Sequence, residues 1–197
     1  LRVQIEGQQA GLVIEGNRIK SIGAKPKGLN LANRDRVEVI DATGQWVMPG
    51  LIDAHVHLSF GHPGYPGIGR GTISAEFSTL RTAMNAQAVL RAGVTSVSVP
   101  GGAWFSDVAV REAINGGLLE GPRIFCAGRL MSVLGGGGDR EPHWVGTPDH
   151  AISKLCHGAD EMVAEVRRQA KHYVNFVKLI DSDWGDFQAF TDGELAA

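Results

Sequence analysis

The run Val47-Met48-Pro49-Gly50-Leu51-Ile52-Asp53-Ala54-His55-Val56-His57-Leu58 constrains this chain more than any other stretch. It is apolar, has strand propensity and carries two histidines one residue apart. Successive side chains alternate faces along a strand, so His55 and His57 point the same way, with Asp53 and Ser59 at the same parity. Two imidazoles so placed can hold one cation together, or one end of a two-metal site. The apolar flanks and the Pro49-Gly50 turn upstream argue against a solvated pair of loop histidines.

Residues 1–46 read as short β segments. Val3-Gln4-Ile5 alternates, and Gly11 to Ile22 reads as a hairpin turning at Glu15-Gly16-Asn17, with Ile19 and Ile22 as apolar contacts of the return strand. Lys25 to Arg36 is polar and loop-like, and Val37 to Asp41 is another short strand. This is too little β structure to close a sandwich, so it needs partners from elsewhere.

Beyond the histidines the pattern turns to alternating helix and strand. A Gly/Pro-rich loop at 60–73 precedes a helix over Ser74 to Ala92, with Phe77, Leu80, Met84 and Ala88 at inward spacing. Val94 to Val99 is a β-branched strand stopped by Pro100-Gly101-Gly102. Ser106 can cap a second helix carrying Val110 and Ile114. Arg123 to Gly128 is a third strand, and a long loop runs from Leu130 to about Gly158. Asp160 caps a third helix with Met162, Val163, Val166 and Ala170 inward, and with Arg167, Arg168 and Lys171 toward its C-terminus as the dipole favours. Asn175 to Ile180 is a fourth strand, and another helix opens near Asp192. Four strands, each followed by loop and helix, make half of an eight-fold βα barrel. An open doubly wound sheet fits the pattern equally well until site residues are considered.

Composition narrows the function classes. With 197 residues, 43% apolar, 20% charged and a formal net charge of -2, the chain lacks the basic excess of a nucleic-acid binder. No apolar run has the length to cross a bilayer, and no signal segment stands at the front. Leu1 is not an initiator Met, so residues are expected to be missing before it. Cys126 and Cys156 sit in unlike contexts with no disulfide framework, so a reducing cytoplasm is the default.

Lys178 is the second anomaly. A strand of a parallel barrel is buried on both faces, and a bare ammonium there is costly. A lysine that snorkels from the strand end is the plain reading. Position changes the weighing, because His55, His57 and Lys178 all fall near the C-terminal ends of strands, where βα barrels build their active sites. A lysine there can react with carbon dioxide to give an anionic carbamate that bridges two metal ions.

Pro49-Gly50-Leu51-Ile52-Asp53-Ala54-His55-Val56-His57, preceded by Val39-Ile40-Asp41-Ala42-Thr43-Gly44, resembles the barrel entrance of the amidohydrolase superfamily. The first β segments resemble the N-terminal part of its accessory β-sandwich. Gly121-Pro122-Arg123-Ile124, the Gly-rich loop and Phe176-Val177-Lys178-Leu179 are similar to the branch of Xaa-Pro dipeptidases (prolidases) and imidazolonepropionase relatives.

The resemblance implies an α/β fold: the N-terminal half of a TIM (β/α)8 barrel (47–197), preceded by part of a small β-sandwich (1–46). It implies a metal-dependent hydrolase in which a metal-bound hydroxide attacks an amide or peptide-type C–N bond of a dipeptide-like small molecule. His55 and His57 would bind the more buried metal, and carboxylated Lys178 would bridge two divalent ions, zinc by expectation. Imidazolonepropionase uses one metal and lacks that lysine, so Lys178 favours the two-metal relatives. Relatives often carry a histidine in the Gly-rich loop after strand three, where this chain reads Gly135-Gly136-Gly137-Gly138-Asp139. His143, close by, is the substrate-facing candidate, with a solvated loop histidine as the competing reading. His62, His150, His157 and His172 have plain accounts in loops or at a helix end.

No histidine follows Lys178, and the family's ligands from strands five and six and its strand-eight aspartate are absent. Asp181, Asp183 and Asp186 are wrongly placed to replace that aspartate. The segment is therefore expected to carry no catalytic residue, to be inactive alone, and to associate with the rest of the barrel and with further copies through its unpaired edges. Two other readings stay open: a mononuclear deaminase or cyclic-amide ring-opening hydrolase of the same superfamily, and a non-catalytic half-barrel that acts by association.

Overall fold

A computed structural model describes residues 2–6, 11–23, 37–61, 73–139, 144, 152–182 and 188–197. The chain divides into two compact units, Leu1–Pro49 and Gly50–Ala197.

The first unit holds a four-stranded sheet of β1 (Arg2–Glu6), β2 (Gly11–Glu15), β3 (Arg18–Gly23) and β4 (Val37–Asp41), in the order β3-β2-β1-β4. β2 pairs antiparallel with both β1 and β3, and β4 runs parallel to β1. The hairpin forms where its turn residues predict it, Glu15 pairing with Arg18 across Gly16-Asn17. Val13 is buried. Ile19 and Ile22 are not the apolar contacts their alternation suggests: β3 is the outer strand, and both side chains are well exposed. The polar stretch Lys25 to Arg36 lies outside the described residues.

The second unit is α/β. Strands β5 (Leu51–Asp53), β6 (Val94–Val99) and β7 (Arg123–Cys126) form a parallel sheet in that order. Helix α1 (Ala75–Arg91) follows β5, and α2 (Ser106–Asn115) follows β6. Parallel neighbours need crossovers, and the two helices provide them. Val97, Val99, Ile124 and Cys126 from the sheet meet Leu58, Ala86 of α1 and Val110 of α2 in one buried cluster.

The strand predicted through both histidines is shorter than its apolar run. β5 ends at Asp53, whose carboxylate accepts the His55 N–H at 3.0 Å and turns the chain out of the ladder. One further bond, Val56 N to Ser98 O at 3.0 Å, keeps the next residues beside β6. Gly50 is required here, because a Cβ on it would lie 2.1 Å from Thr95 Oγ1.

The helices sit where periodicity places them but turn other faces inward. Ser74 caps α1 through Phe77 N. Its buried residues are Ser78, Thr82 and Ala86, while Phe77, Leu80 and Met84 are exposed. The reason is polar: Thr82 Oγ1 donates to Ser106 Oγ at 2.9 Å, and Asn85 Nδ2 donates to Leu58 O at 2.7 Å. Ser106 is consequently spent on α1 and does not cap α2. Trp104 and Phe105, both with left-handed backbones, lead into that helix instead. Helix α3 (Ala159–Lys171) starts at Gly158 without a side-chain cap, so Asp160 lies inside its first turn. It buries Met162, as expected, but also Glu165 and Gln169, and it leaves Val166 and Ala170 exposed. Gln169 Nε2 donates to Arg129 O at 2.8 Å and to Glu165 Oε1 at 3.0 Å, which fixes that face.

Part of the stretch read as a long loop is ordered β structure. β8 (Leu130–Ser132) and β9 (Ser153–Leu155) pair in parallel. Three-residue strands show no readable alternation, and their partners are remote. The expected fourth strand is reduced to one parallel bridge, Met131 with Leu179, flanked by Met131 N to Lys178 O (2.8 Å) and Ile180 N to Met131 O (2.9 Å). Asn175 N reaches Cys126 O at 2.8 Å, so the segment pairs first beside β7 and then beside β8. Helix α4 (Asp192–Leu195) opens at Thr191, which forms a capping box with Glu194. No helix among the described residues is long and apolar enough to cross a membrane.

Candidate metal centre

His55 and His57 stand just past the C-terminal end of β5. Their ring centroids are 5.3 Å apart and the rings meet edge to face at 68°. Two imidazoles sharing one ion, each nitrogen about 2.1 Å from it in a tetrahedral arrangement, have centroids on the order of 5 Å apart. His57 Nδ1 lies 2.9 Å from Gly101 O. With Nδ1 donating to that carbonyl, Nε2 carries the lone pair, the arrangement that ligating histidines commonly use. Phe60 stacks on the His57 ring at 4.4 Å. His55 is exposed and His57 is half-buried.

Gly101 follows β6 and has φ 156°. A Cβ there would sit 3.1 Å from Leu130 Cδ2, 3.2 Å from His57 Cε1 and 3.3 Å from its Nδ1. The His57 ring and the Leu130 side chain therefore flank the bare backbone of Gly101, bringing together the chain after β5, the chain after β6 and the start of β8. In the sequence, Pro100-Gly101-Gly102 reads as a strand stop. The signal available was a glycine pair at the C-terminal end of a parallel strand, where backbone and ligand groups approach closely.

Leu130 also locates Lys178. The parallel bridge pairs Met131 with Leu179. Residues one step earlier on each strand share the opposite face, which puts Lys178 beside Leu130. Exposure alternates as expected: Phe176, Lys178 and Ile180 form the less exposed side and Asn175, Val177 and Leu179 the more exposed. Lys178 thus lies on the Leu130 face, the face that borders Gly101 and His57.

The remaining polar groups are structural. Asp53 is spent on His55 N, and Ser59 Oγ accepts from Ala103 N at 3.1 Å. Asp181 Oδ1 accepts from Ala189 N and Phe190 N. His172 stacks on Phe105 at 3.8 Å, and His157 is exposed. His62, His143, His150, Asp183 and Asp186 lie outside the described residues. Asp107, fully buried, accepts from Val108 N and Gly128 N, both at 2.9 Å, and so ties α2 to the loop after β7. Burial pushes its carboxyl up to about 6. Burial likewise pushes the Cys126 and Cys156 thiols up to about 12 and about 11, so neither is a thiolate nucleophile near neutral pH.

Two imidazoles with the right separation and a fixed tautomer fit one side of a divalent-metal site. No cluster of three or more His, Cys, Asp or Glu residues with metal-binding geometry occurs among the described residues.

Residues 46–191 match the model of the amidohydrolase family. The chain belongs to the amidohydrolase family. Among its relatives, a dihydroorotase of Mycobacterium leprae (strain TN) is 41% identical over 58 residues, covering 29% of this amidohydrolase and 12% of that protein. An imidazolonepropionase of Cupriavidus necator is 27% identical over 177 residues, 76% of this chain and 41% of that one. A prolidase solved with N-methylphosphonate-L-proline superposes with a TM-score of 0.73 at 25% identity, over 91% of this chain and 46% of that one. The chain thus spans less than half the length of each of these relatives. Members of the family typically use divalent metals.

Proposed function

We propose that this chain supplies the first metal-binding residues of a hydrolase that cleaves an amide or peptide-type C–N bond in a dipeptide-like small molecule. The reading rests on one observation above others: His57 is fixed by Gly101 O beside His55 at the C-terminal ends of parallel strands. His55 and His57 would hold one divalent ion. Lys178, once its Nζ adds carbon dioxide and loses a proton, would bridge to a second, and His143 would face the substrate. When bound, such ions supply Lewis-acid polarisation of the amide carbonyl and lower the pKa of water, with zinc the first choice.

What the chain itself contributes is orientation. The Gly101 carbonyl sets the His57 tautomer, the Asp53 turn sets the direction of His55, and the Leu130 face presents Lys178. In this reading residues 47–197 form the first half of a (β/α)8 barrel, and residues 1–46 part of a small accessory β-sandwich. A ring-opening hydrolase of a cyclic amide is the second reading, supported by the relatives named dihydroorotase and imidazolonepropionase.

Cobalt titration of residues 1–197, followed by visible absorption, tests the proposal. Weak saturable binding is expected, abolished by His55→Ala and by His57→Ala, with no amide turnover by the segment alone. Binding that survives both substitutions would overturn the assignment of the histidines. Tight stoichiometric zinc with turnover would overturn the idea that the site is incomplete.

A further inference from the structure

Arg111 of α2 is buried, yet neither the fold nor the metal reading has used it. Its Nη1 donates to Tyr173 O at 2.8 Å, to Asn175 Oδ1 at 3.1 Å and to Cys126 Sγ at 3.2 Å. Its Nε donates to Glu112 Oε1 at 2.9 Å. Asn175 adds two more bonds. Its N–H goes to Cys126 O at 2.8 Å, and its Oδ1 accepts from Cys126 N at 3.0 Å. The Asn175 side chain thereby replaces a strand carbonyl at the end of β7, where the regular ladder stops.

The place of these bonds matters. The chain leaves α3, reverses through Tyr173 in a left-handed backbone (φ 57°) and passes through a bend at Asn175 and Phe176 before Lys178. Tyr173 is 81% exposed, and its carbonyl, held by Arg111, ties this turn to α2. Downstream, the chain around Lys178 is held by the bridge to Met131, by Ser132 Oγ donating to Ile180 O at 2.8 Å and by Gly137 N donating to Asp181 O at 2.8 Å. On its upstream side, the path of the chain from the end of β7 toward Lys178 starts at Tyr173 and Asn175, and both are held by one guanidinium.

A buried cation is costly even where an ion pair with Glu112 (Nη2 to Oε1, 2.8 Å) offsets part of the cost, and an apolar side chain of similar volume would fill the space more cheaply. What an apolar side chain lacks is the planar guanidinium, whose Nη1 faces the Tyr173, Asn175 and Cys126 acceptors while Nε and Nη2 face Glu112. We infer that Arg111 and Asn175 are positioning residues for Lys178, setting the register in which its ammonium faces the His57 side of the strand ends. The inference rests on the reading of Lys178 as a metal-bridging group.

The test uses amide hydrogen exchange together with carbon-13 spectroscopy in labelled bicarbonate. In Arg111→Met and in Asn175→Leu, the Met131 and Ile180 amides that flank Lys178 are expected to exchange about tenfold faster, while Val97 and Val99 in the core keep their protection. The lysine carbamate signal falls in both variants, and it is absent in Lys178→Met. Asn175→Asp, which keeps the acceptor, is expected to restore slow exchange and the signal; Asn175→Leu, similar in volume, is not. Unchanged exchange at Met131 and Ile180 in both variants overturns the positioning role. So does equal loss of protection at Val97 and Val99, which would make the role one of general packing. A wild-type protein without the carbamate signal, but with the exchange pattern as expected, overturns the reading of Lys178 and leaves Arg111 as the anchor of this segment.

Discussion

Asp107→Asn tests the lock that ties α2 to the loop after β7. The carboxyl is fully buried and accepts two backbone N–H groups. Burial raises its pKa from the ordinary 3.8 to about 6, against the backbone donors and Arg111, which pull it down. A raised value means that the folded protein holds this proton more tightly than the unfolded chain does. The stability this proton contributes is therefore fully present below about 3.8 and lost as pH rises through about 6. At 1.36 kcal/mol per tenfold change in proton affinity, the rise corresponds to about 3 kcal/mol. Asparagine cannot titrate, and it turns a donor toward one of the two N–H groups, so the variant is the less stable form in acid. Urea unfolding of both proteins, followed by circular dichroism from about pH 3.5 to about 7.5, reads the effect. The stability advantage of the wild type is expected to shrink by about 3 kcal/mol across that window. An advantage that stays level, or that grows with pH, refutes the reasoning.

Gly101→Ala places a methyl group within 3.3 Å of both Leu130 and His57 and disturbs the carbonyl that orients the ring. Loss of such an outer contact typically costs 10–100-fold in metal affinity. Cobalt titration reads this, and an unchanged affinity would remove Gly101 from the site. Thr191→Ala deletes the capping box of α4, at a cost of about 0.5–2 kcal/mol. Because Glu194 also accepts from Gly158 N at 2.9 Å, faster exchange is expected at the Gly158 amide as well as at Glu194; slow exchange at both would show that the cap is dispensable.

The local chemistry of this chain is written plainly in its sequence. Ser74 announces a helix start and the residues near Asp192 another, Glu15-Gly16-Asn17 announces a hairpin, and the β-branched run Val94–Val99 announces a strand, because caps, turns and stiff side chains act over a few residues. The His55/His57 pair is legible for the same reason, since two donors two residues apart stay neighbours. The inward faces of α1 and α3 are not legible. Apolar periodicity selects Phe77, Leu80 and Val166, whereas the fold buries Ser78, Thr82, Glu165 and Gln169, whose partners lie 4 to 40 residues away. Nor does the sequence show that Gly101 O holds His57 from 44 residues away, or that Arg111 grips Tyr173 and Asn175 across more than 60. What the sequence by itself determined was the helices, most of the strands and the two histidines that follow the first strand of the parallel sheet, but not β8 and β9. Tertiary structure alone decided which polar groups are buried and how the histidine rings are oriented, because a long-range hydrogen bond leaves no periodicity to read.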